Sequence, residues 1–194
     1  MKEIVIRRNE AGQRLDKLLK KYLSEAPSGF LYKMLRKKNI VLNGKRASGN
    51  EKLTEGDKIY LYLAEETICK FSSRAESASG ELPMEIIYED ADLLLLNKPV
   101  GMLSQRAEKK DTSVVEYVIS YLLEKHELTQ DDLLLFKPAV CNRLDRNTSG
   151  IIIAGKSMPG LQTMGQLLKE RSLKKYYLCA VKGRITRKRR IQGF

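Results

Sequence analysis

A polar stretch just after the first third of the chain indicates that this sequence folds as two units and not as one. Residues 64–82, AEETICKFSSRAESASGEL, are rich in Ser, Ala and Glu and interrupt the apolar pattern of the 194-residue chain. Such a composition offers little apolar surface to bury and is typical of a linker. We therefore expect two units, a small one over residues 1–63 and a larger one over residues 83–194.

The first unit is predicted to combine two amphipathic helices with a β-hairpin. One helix face is apolar at i, i+3, i+4 and i+7, at Leu15, Leu18, Leu19 and Tyr22. A second helix, at about 30–38, places three apolar side chains inward: Leu31, Met34 and Leu35. Asn43-Gly44 between β-forming residues predicts a tight hairpin. An edge strand within 1–8 and a strand at 59–63 complete the unit.

The second unit is predicted to contain four strands, at residues 84–90, 93–99, 151–154 and 175–181. The second of them begins with four leucines, so we expect it to be buried on both faces. Ser113 and Glu116 have capping-box spacing, which predicts a helix start. Ser157 as the N-cap and Pro159 in the first turn predict a second helix start. The inward side chains of this last helix are predicted to be Leu161, Met164, Leu167 and Leu168.

The charge distribution indicates a polyanionic partner. The net charge is +12, but residues 1–63 carry +8, residues 64–165 carry −5 and residues 166–194 carry +9. Basic regions of this size suit phosphate binding, because neutralising phosphates releases counterions. A merely solvated basic face is the alternative. No stretch approaches 18 consecutive apolar residues, so we expect no membrane span, and nucleic acid is favoured over a lipid surface.

Cysteine and histidine usage disfavours a metal site. The chain has one histidine and three widely spaced cysteines, Cys69, Cys141 and Cys179, with no CxxC pair. Three reduced thiols in a cytoplasmic protein are the simplest interpretation. The N-terminal residues also lack the apolar run of a secretory signal.

The segment CNRLDRNTSGIIIAGKS, residues 141–157, carries the candidate chemistry. Asp145 stands between Arg143 and Arg146, and nearby cations favour an ionised carboxylate. An ionised carboxylate can act as a nucleophile. From the spacing alone, a salt-bridged turn holding two strands in register is the favoured explanation. A two-carboxylate glycosidase would need a second acid, and a surface turn also explains each candidate: Glu89, Asp90, Asp92 and Asp111.

Several motifs in order resemble one enzyme family. NRLDRNTSG is similar to the HRLDxxTSG signature of RluA-type pseudouridine synthases. EDADLLLLNKPVGM and RSLKKYYLCAVKG resemble two further stretches of the same catalytic domain. Residues 14–47 resemble the RNA-binding module named after ribosomal protein S-four. The resemblance covers about residues 1–186. It implies an α+β fold, with a small S-four-like domain before part of a mixed or antiparallel-sheet catalytic domain.

The resemblance also implies roles for individual residues. Asp145 would be the catalytic aspartate, attacking either carbon 6 of uracil or the anomeric ribose carbon of a flipped-out uridine. Tyr177 would pack on the target base, and Arg143 would help hold the nucleotide. No metal or organic cofactor is implied. The expected phosphate contacts of the N-terminal module are basic side chains: Arg14, Lys33, Arg36, Lys37, Lys38 and Lys45.

Two departures from the family pattern accompany the resemblance. Asn142 stands where histidine is commoner, so a titrating group near pH 7 is lost there. A TGRxHQIR-like strand and a basic residue that would pair with the aspartate are not found before Phe194. The chain is therefore interpreted as truncated.

The sequence as a whole predicts a cytoplasmic RNA pseudouridine synthase. We expect it to be a monomer that modifies structured RNA, with ribosomal RNA the favoured substrate. The alternative is a non-catalytic RNA-binding protein with a vestigial synthase domain. The sequence identifies neither the modified uridine nor the RNA that contains it.

Overall fold

The part of the chain that the structure describes forms two four-stranded antiparallel sheets, each with its own apolar core. The computed structural model describes residues 1–72, 83–108, 110–184, 186–188 and 190. Most of the predicted linker and parts of the basic C-terminal stretch therefore lie outside the described residues. The mixed helix and strand content confirms the predicted α+β class.

The first sheet has the order β1-β4-β2-β3. Its strands are β1 (Lys2–Val5), β2 (Ile40–Leu42), β3 (Lys45–Arg46) and β4 (Lys58–Leu61). The helices packed on it are α1 (Leu15–Tyr22), α2 (Ser28–Arg36) and α3 (Glu65–Phe71). The predicted edge strand is confirmed, because β1 pairs only with β4 in the sheet.

The amphipathic pattern of the first unit is confirmed in three dimensions. In α1, the four predicted apolar positions are all buried, at most 5% exposed. In α2, Leu31, Met34 and Leu35 are buried as predicted. The hairpin turns at Asn43 and Gly44, whose φ angles are 51° and 71°. Two consecutive positive φ angles give the turn a twist that matches the twist of the flanking strands.

The first part of the predicted linker is helical, which corrects the interpretation from composition. Residues 65–71 form α3, and Ile68 and Phe71 pack against the first core. The ring centroids of Phe71 and Phe30 lie 4.9 Å apart. Two apolar side chains one turn apart were enough to attach this polar segment, because the core offered a partly buried site for them.

The second sheet has the order β5-β6-β8-β7. Its strands are β5 (Glu85–Glu89), β6 (Leu93–Lys98), β7 (Ala139–Val140) and β8 (Gly150–Gly155). The helices that follow its strands are α4 (Val114–Glu124), α5 (Asp132–Leu135) and α6 (Met158–Lys169). Helix α4 packs on one face of this sheet, where Leu94, Leu96 and Ile152 are fully buried.

Strand β6 is buried on one face and only partly on the other, which corrects the prediction of burial on both. Leu94, Leu96 and Lys98 are buried, whereas Leu93 and Leu95 are partly exposed. The opposite face of the sheet also exposes Ile151 on the adjacent β8, at 53%. The physical reason is that α4 covers one face alone.

Both predicted helix starts in the second unit are confirmed. The side chain of Glu116 accepts hydrogen bonds from the Ser113 backbone N–H and hydroxyl, completing the capping box. The Ser157 hydroxyl accepts a hydrogen bond from the Gly160 N–H at 3.1 Å. The apolar side of α6 is buried less than predicted. The four side chains concerned are not fully buried: Leu161, Met164, Leu167 and Leu168.

The predicted strand at 175–181 is wrong. This stretch has no regular secondary structure, and Tyr176, Tyr177 and Leu178 are 84%, 66% and 103% exposed. A strand is stable only when a neighbouring strand satisfies its backbone groups. Within the described ranges, no strand pairs with residues 175–181, so these residues do not form the strand that their composition predicts.

Candidate functional site

The candidate catalytic residue lies on the loop between β7 and β8. We call residues 141–149 the Asp145 loop. The side chains of Arg143, Asp145 and Arg146 are all accessible to solvent, so the carboxylate can be reached from outside. Strand β8, which follows the loop, pairs with β6 over its full length from Leu93↔Gly155 to Lys98↔Gly150. The loop is therefore anchored at the end of the best-paired strands of the second sheet.

The flanking arginines do not form ion pairs with Asp145. Within the part of the chain that the structure describes, no salt bridge includes this carboxylate. The Arg146 Nε instead donates a hydrogen bond to the Gly101 carbonyl at 3.0 Å. The salt-bridged turn, which spacing alone favoured, is thus not what holds this loop. The Asp145 carboxylate keeps its acceptor sites open.

The segment after β6 holds the loop on both sides of Asp145. We call residues 98–104 the 98–104 segment. On the N-terminal side, the Ser104 hydroxyl accepts a hydrogen bond from the Leu144 N–H at 3.0 Å and donates one to the Leu144 carbonyl at 2.6 Å. On the C-terminal side, the Gly101 N–H donates to the Arg146 carbonyl at 2.8 Å. Residues 144 and 146 are thereby fixed, and Asp145 lies between them.

Lys98 is a buried cation beneath this loop. Its side chain is 0% exposed. Its Nζ donates hydrogen bonds to the carbonyls of Pro99 and Met102, both at 2.9 Å, and lies 3.5 Å from the Arg146 carbonyl. Burial lowers the pKa of Lys98, and the negative charge of Asp145 opposes that decrease. The ammonium is thus held by backbone carbonyls of the 98–104 segment, next to the Asp145 loop.

Asn142 continues the strand pairing beyond the end of β7. Its Oδ1 accepts a hydrogen bond from the Ile153 N–H at 2.8 Å, and its Nδ2 donates one to the Ile151 carbonyl at 3.1 Å. The amide therefore occupies the place that a strand backbone would take beside β8. The residue that departs from the family pattern has a clear structural role here. That role requires one donor and one acceptor, not a titrating group.

The neighbouring thiol is not a second nucleophile. Burial raises the pKa of Cys141 to about 11. A thiol is reactive as the thiolate, so this side chain is almost entirely in its unreactive form near pH 7. All three cysteines are free.

The four acids considered as a second carboxylate have other partners. Glu89 pairs with Lys156 at 2.7 Å, and Asp92 pairs with Arg8 at 2.9 Å. Asp90 accepts backbone N–H groups of its own turn, and so does Asp111. The contacts of Asp90 and Asp111 agree with the surface-turn interpretation, whereas Glu89 ends strand β5 and pairs with the buried Lys156. Within the described ranges, no three His, Cys, Asp or Glu side chains group as a metal site would require.

Tyr177 makes no hydrogen bond to the Asp145 loop among the described residues. It lies in the irregular stretch that follows α6, with its side chain 66% exposed. Its role in the site therefore stays a prediction from the sequence motif.

Most of the predicted phosphate-binding side chains of the first unit are exposed. Five of the six predicted phosphate contacts are exposed and make no ion pair with a described residue: Lys33, Arg36, Lys37, Lys38 and Lys45. Arg36 on α2 and Arg46 on β3 line the same surface depression. Arg14 differs, because its guanidinium makes a two-point contact with the buried carboxylate of Asp16 at 3.0 and 2.9 Å. Arg14 is therefore already engaged within the protein.

Sequence reasoning missed Lys98 and Ser104 as members of the site. Lys98 could have been suspected from the sequence, because it ends a strand that begins with four leucines. Burying a lysine there costs free energy unless its ammonium has hydrogen-bond partners. Nothing in the sequence indicated Ser104, because a single serine in a loop reveals nothing about a backbone partner 40 positions later.

Among the described residues, no helix has the length and apolar character that crossing a bilayer demands.

The comparisons with known proteins agree with these motifs. The family model for RNA pseudouridylate synthase matches residues 92–193, which include the Asp145 loop and the 98–104 segment. Ribosomal large subunit pseudouridine synthase C of Salmonella typhi is 30% identical over 186 residues, which are 94% of this chain and 55% of that protein. The homologue of the same name from Escherichia coli strain K12 gives the same figures. This chain thus spans about half the length of the curated relatives it matches.

Two solved structures show weak similarity. Human RNA Pseudouridylate Synthase Domain Containing 4 is 19% identical with a TM-score of 0.35, over 45% of this chain and 30% of that chain. A second pseudouridylate synthase is 18% identical with a TM-score of 0.23, over 74% of this chain and 48% of that chain. At these scores the similarity carries no structural conclusion. The family model, which matches more than half of the chain, shows that this protein belongs to the RNA pseudouridylate synthase family.

Proposed function

We propose that this protein is an RNA pseudouridine synthase that uses Asp145 as its nucleophile. The observation that carries the proposal is the position of this carboxylate, which is exposed and free of ion pairs among the described residues. It lies on a backbone that the 98–104 segment fixes on both sides. A rigid backbone with an accessible nucleophile is the arrangement that covalent catalysis needs.

In the proposed reaction, an Asp145 oxygen bonds either to carbon 6 of uracil or to the anomeric carbon of the ribose. The bond between N1 and the ribose breaks, and the base rotates. Carbon 5 then bonds to the anomeric carbon and loses its proton, and N1 takes up a proton from solvent. If Asp145 had bonded to the ribose, it leaves as carbon 5 bonds; if it had bonded to carbon 6, it leaves afterwards. The product is an isomer of the substrate, so no oxidant, reductant or cofactor is consumed. The uridine must leave its stack first, because stacking hides the atoms concerned.

Arg143 and Tyr177 complete the proposed site. Arg143 lies on the Asp145 loop with its side chain accessible, and its guanidinium can bind a phosphate of the flipped nucleotide. Tyr177 would pack on the base and assist removal of the proton from carbon 5. This role requires residues 175–181 to approach the Asp145 loop when RNA binds.

We propose two basic surfaces for RNA. The first consists of the exposed cations of α2 and the β2–β3 hairpin in an S-four-like module spanning residues 1–63. The second is the exposed C-terminal stretch, which includes Lys169, Arg171, Lys174 and Lys175. Such contacts position a phosphate backbone without reading its sequence. Arg14 contributes only if RNA displaces its Asp16 partner.

Ribosomal RNA is the proposed substrate. Relatives 30% identical are named ribosomal large subunit pseudouridine synthase C, which supports this choice. A cytoplasmic monomer with reduced thiols fits such a substrate.

Tritium release from RNA labelled at carbon 5 of uridine tests the proposal, because the isomerisation frees that hydrogen. We expect release with the wild type and a loss of at least about 100-fold with Asp145→Asn, which removes the nucleophile. Asp131→Asn is the matched control, since Asp131 is also an exposed aspartate and lies just before α5, outside the proposed site. Equal release from the wild type and Asp145→Asn, or no release from the wild type, contradicts the proposal.

A further inference from the structure

A single buried hydroxyl holds the residue that precedes the proposed nucleophile. Ser104 is 5% exposed, and its Oγ bonds both polar backbone groups of Leu144. This exchange of two hydrogen bonds with one residue is the pattern that a paired strand would supply. Strand β7 ends at Val140, so no strand backbone supplies it at position 144. The Ser104 side chain takes that place.

The direction of the Asp145 side chain depends on this contact. Within the described ranges, the carboxylate makes no hydrogen bond or ion pair that would orient it. Its orientation is therefore set by the backbone at positions 144–146. The Leu144 carbonyl belongs to the peptide that joins residue 144 to Asp145, so the Ser104 hydroxyl fixes the plane of that peptide directly.

The Ser104 contact is not duplicated by the other contacts to the loop. The other contacts to this side of the loop all involve Arg146. Gly101 and Lys98 donate to its backbone carbonyl, and its guanidinium donates to the Gly101 carbonyl. On the other side, the Asn142 amide hydrogen-bonds to backbone groups of β8 and does not contact Leu144. Removing the Ser104 hydroxyl would leave the Leu144 N–H and carbonyl without a partner among the described residues. Unpaired backbone groups seek water, and the loop would shift to reach it.

We propose that Ser104 is a positioning residue for the reaction, acting through the Leu144 backbone on the Asp145 carboxylate. This inference rests on the proposed function. It assigns to Ser104 an effect on the chemical step, not on RNA affinity, since Ser104 is buried and cannot contact a polynucleotide.

The test compares kinetic constants for tritium release by the full chain. We expect Ser104→Ala to lower kcat by about 10- to 100-fold, the range for a nucleophile displaced by a fraction of an ångström to about 1 Å. KM for the RNA should stay within about threefold, because the basic surfaces are unchanged. Ser104→Thr keeps a hydroxyl at the same position and should restore most of the lost kcat.

Ser157→Ala is the matched control for a loss of stability. Ser157 is 1% exposed, and its hydroxyl caps α6 and does not contact the Asp145 loop. We expect it to lower the midpoint of urea denaturation with kcat unchanged. Urea denaturation of all three variants measures the stability change separately from the rate.

The outcomes separate this inference from the proposed function. If the wild type releases tritium in an Asp145-dependent manner and Ser104→Ala has wild-type kcat, Ser104 does not position the nucleophile and the inference is wrong. A fall in kcat that Ser104→Thr does not restore, or that Ser157→Ala reproduces, also overturns it. A wild type without release contradicts the proposed function itself, and the inference falls with it.

Discussion

Glu89 shows how one residue can connect distant parts of the second unit. Its carboxylate accepts hydrogen bonds from Lys156 at 2.7 Å, from the Tyr121 hydroxyl at 2.7 Å and from Lys125 at 3.1 Å. Burial alone would raise its pKa, but these donors together outweigh it and lower the pKa to about 2. Strand β5, helix α4 and the end of β8 meet at this side chain. It therefore contributes to the stability of the unit and to its dependence on pH.

Stability should fall in acid as Glu89 becomes protonated. A carboxylate whose pKa is lower in the folded state stabilises the fold above its unfolded value of 4.5, and this contribution disappears as pH falls toward 2. We expect Glu89→Gln to cost about 1–3 kcal/mol at pH 7, less than a fully buried pair would. The cost should shrink between about pH 5 and about pH 2.5, as the linkage between protonation and folding requires. Urea denaturation at several pH values measures it.

Glu108→Gln is the control for this pH effect. Glu108 pairs with Lys110 at 3.0 Å, but both side chains are largely exposed, at 65% and 80%. Such a pair contributes about 0–1 kcal/mol at any pH. If the two variants have the same effect, the contribution assigned to the Glu89 contacts is refuted.

At the scale of elements, glycine stabilises the β2–β3 hairpin turn but destabilises helix α6. Gly44 adopts a φ of 71° in the β2–β3 turn, which is a left-handed conformation unfavourable for residues with a Cβ. Gly165 lies within α6, where the missing side chain costs helix propensity. A Cβ at either position would meet no atom within 4 Å. Any difference between the two sites therefore comes from the backbone.

Alanine should destabilise one of these sites and stabilise the other. We expect Gly44→Ala to lower the free energy of unfolding by about 1–2 kcal/mol. Gly165→Ala should raise it by about 0.4–1 kcal/mol. The midpoints of urea denaturation, measured side by side, give both values. A Gly44→Ala protein as stable as the wild type would show that the turn does not need two positive φ angles.

At the scale of the whole molecule, ion pairs and apolar side chains of the described residues connect the two units. Arg7 pairs with Asp132 at 3.3 Å, and Arg8 pairs with Asp92 at 2.9 Å. Two side chains of α5, Leu134 and Leu135, pack against the core of the first unit. None of these contacts uses the exposed cations of α2, which stay available to a ligand.

RNA affinity should depend on salt through these exposed cations. We expect replacing Lys33, Arg36, Lys37 and Lys38 with Gln to reduce the slope of log K against log salt concentration. The reduction should reach about 3, because each phosphate that the protein no longer neutralises removes about 0.7–0.9 from the slope. Fluorescence anisotropy with a labelled ribosomal RNA fragment at several KCl concentrations measures the slope.

Cations already paired within the protein provide the comparison. Lys58 pairs with Glu3 at 3.2 Å, and Lys110 pairs with Glu108 at 3.0 Å. Replacing both with Gln should leave the slope nearly unchanged, because a paired lysine releases few counterions. An unchanged slope in the fourfold variant would exclude α2 from the RNA-binding surface.

The sequence by itself determined the elements whose cause is local. The apolar spacing of Leu15, Leu18 and Leu19 predicted α1, and Asn43-Gly44 predicted the hairpin, because periodicity and turn conformation depend on neighbours along the chain. The motif around Asp145 also identified the family and the candidate nucleophile. These features need no knowledge of which distant segments meet.

Only the tertiary structure decided what depends on distant partners. It attached residues 65–71 to the first core as a helix, and among the described residues it provided no strand to pair with 175–181 despite their composition. It also placed the Ser104 hydroxyl on the Leu144 backbone and the Lys98 ammonium beneath the loop. The physical reason is the same in each case. A backbone hydrogen bond or a buried charge is stable only when its partner is present, and the partner lies far away in the sequence.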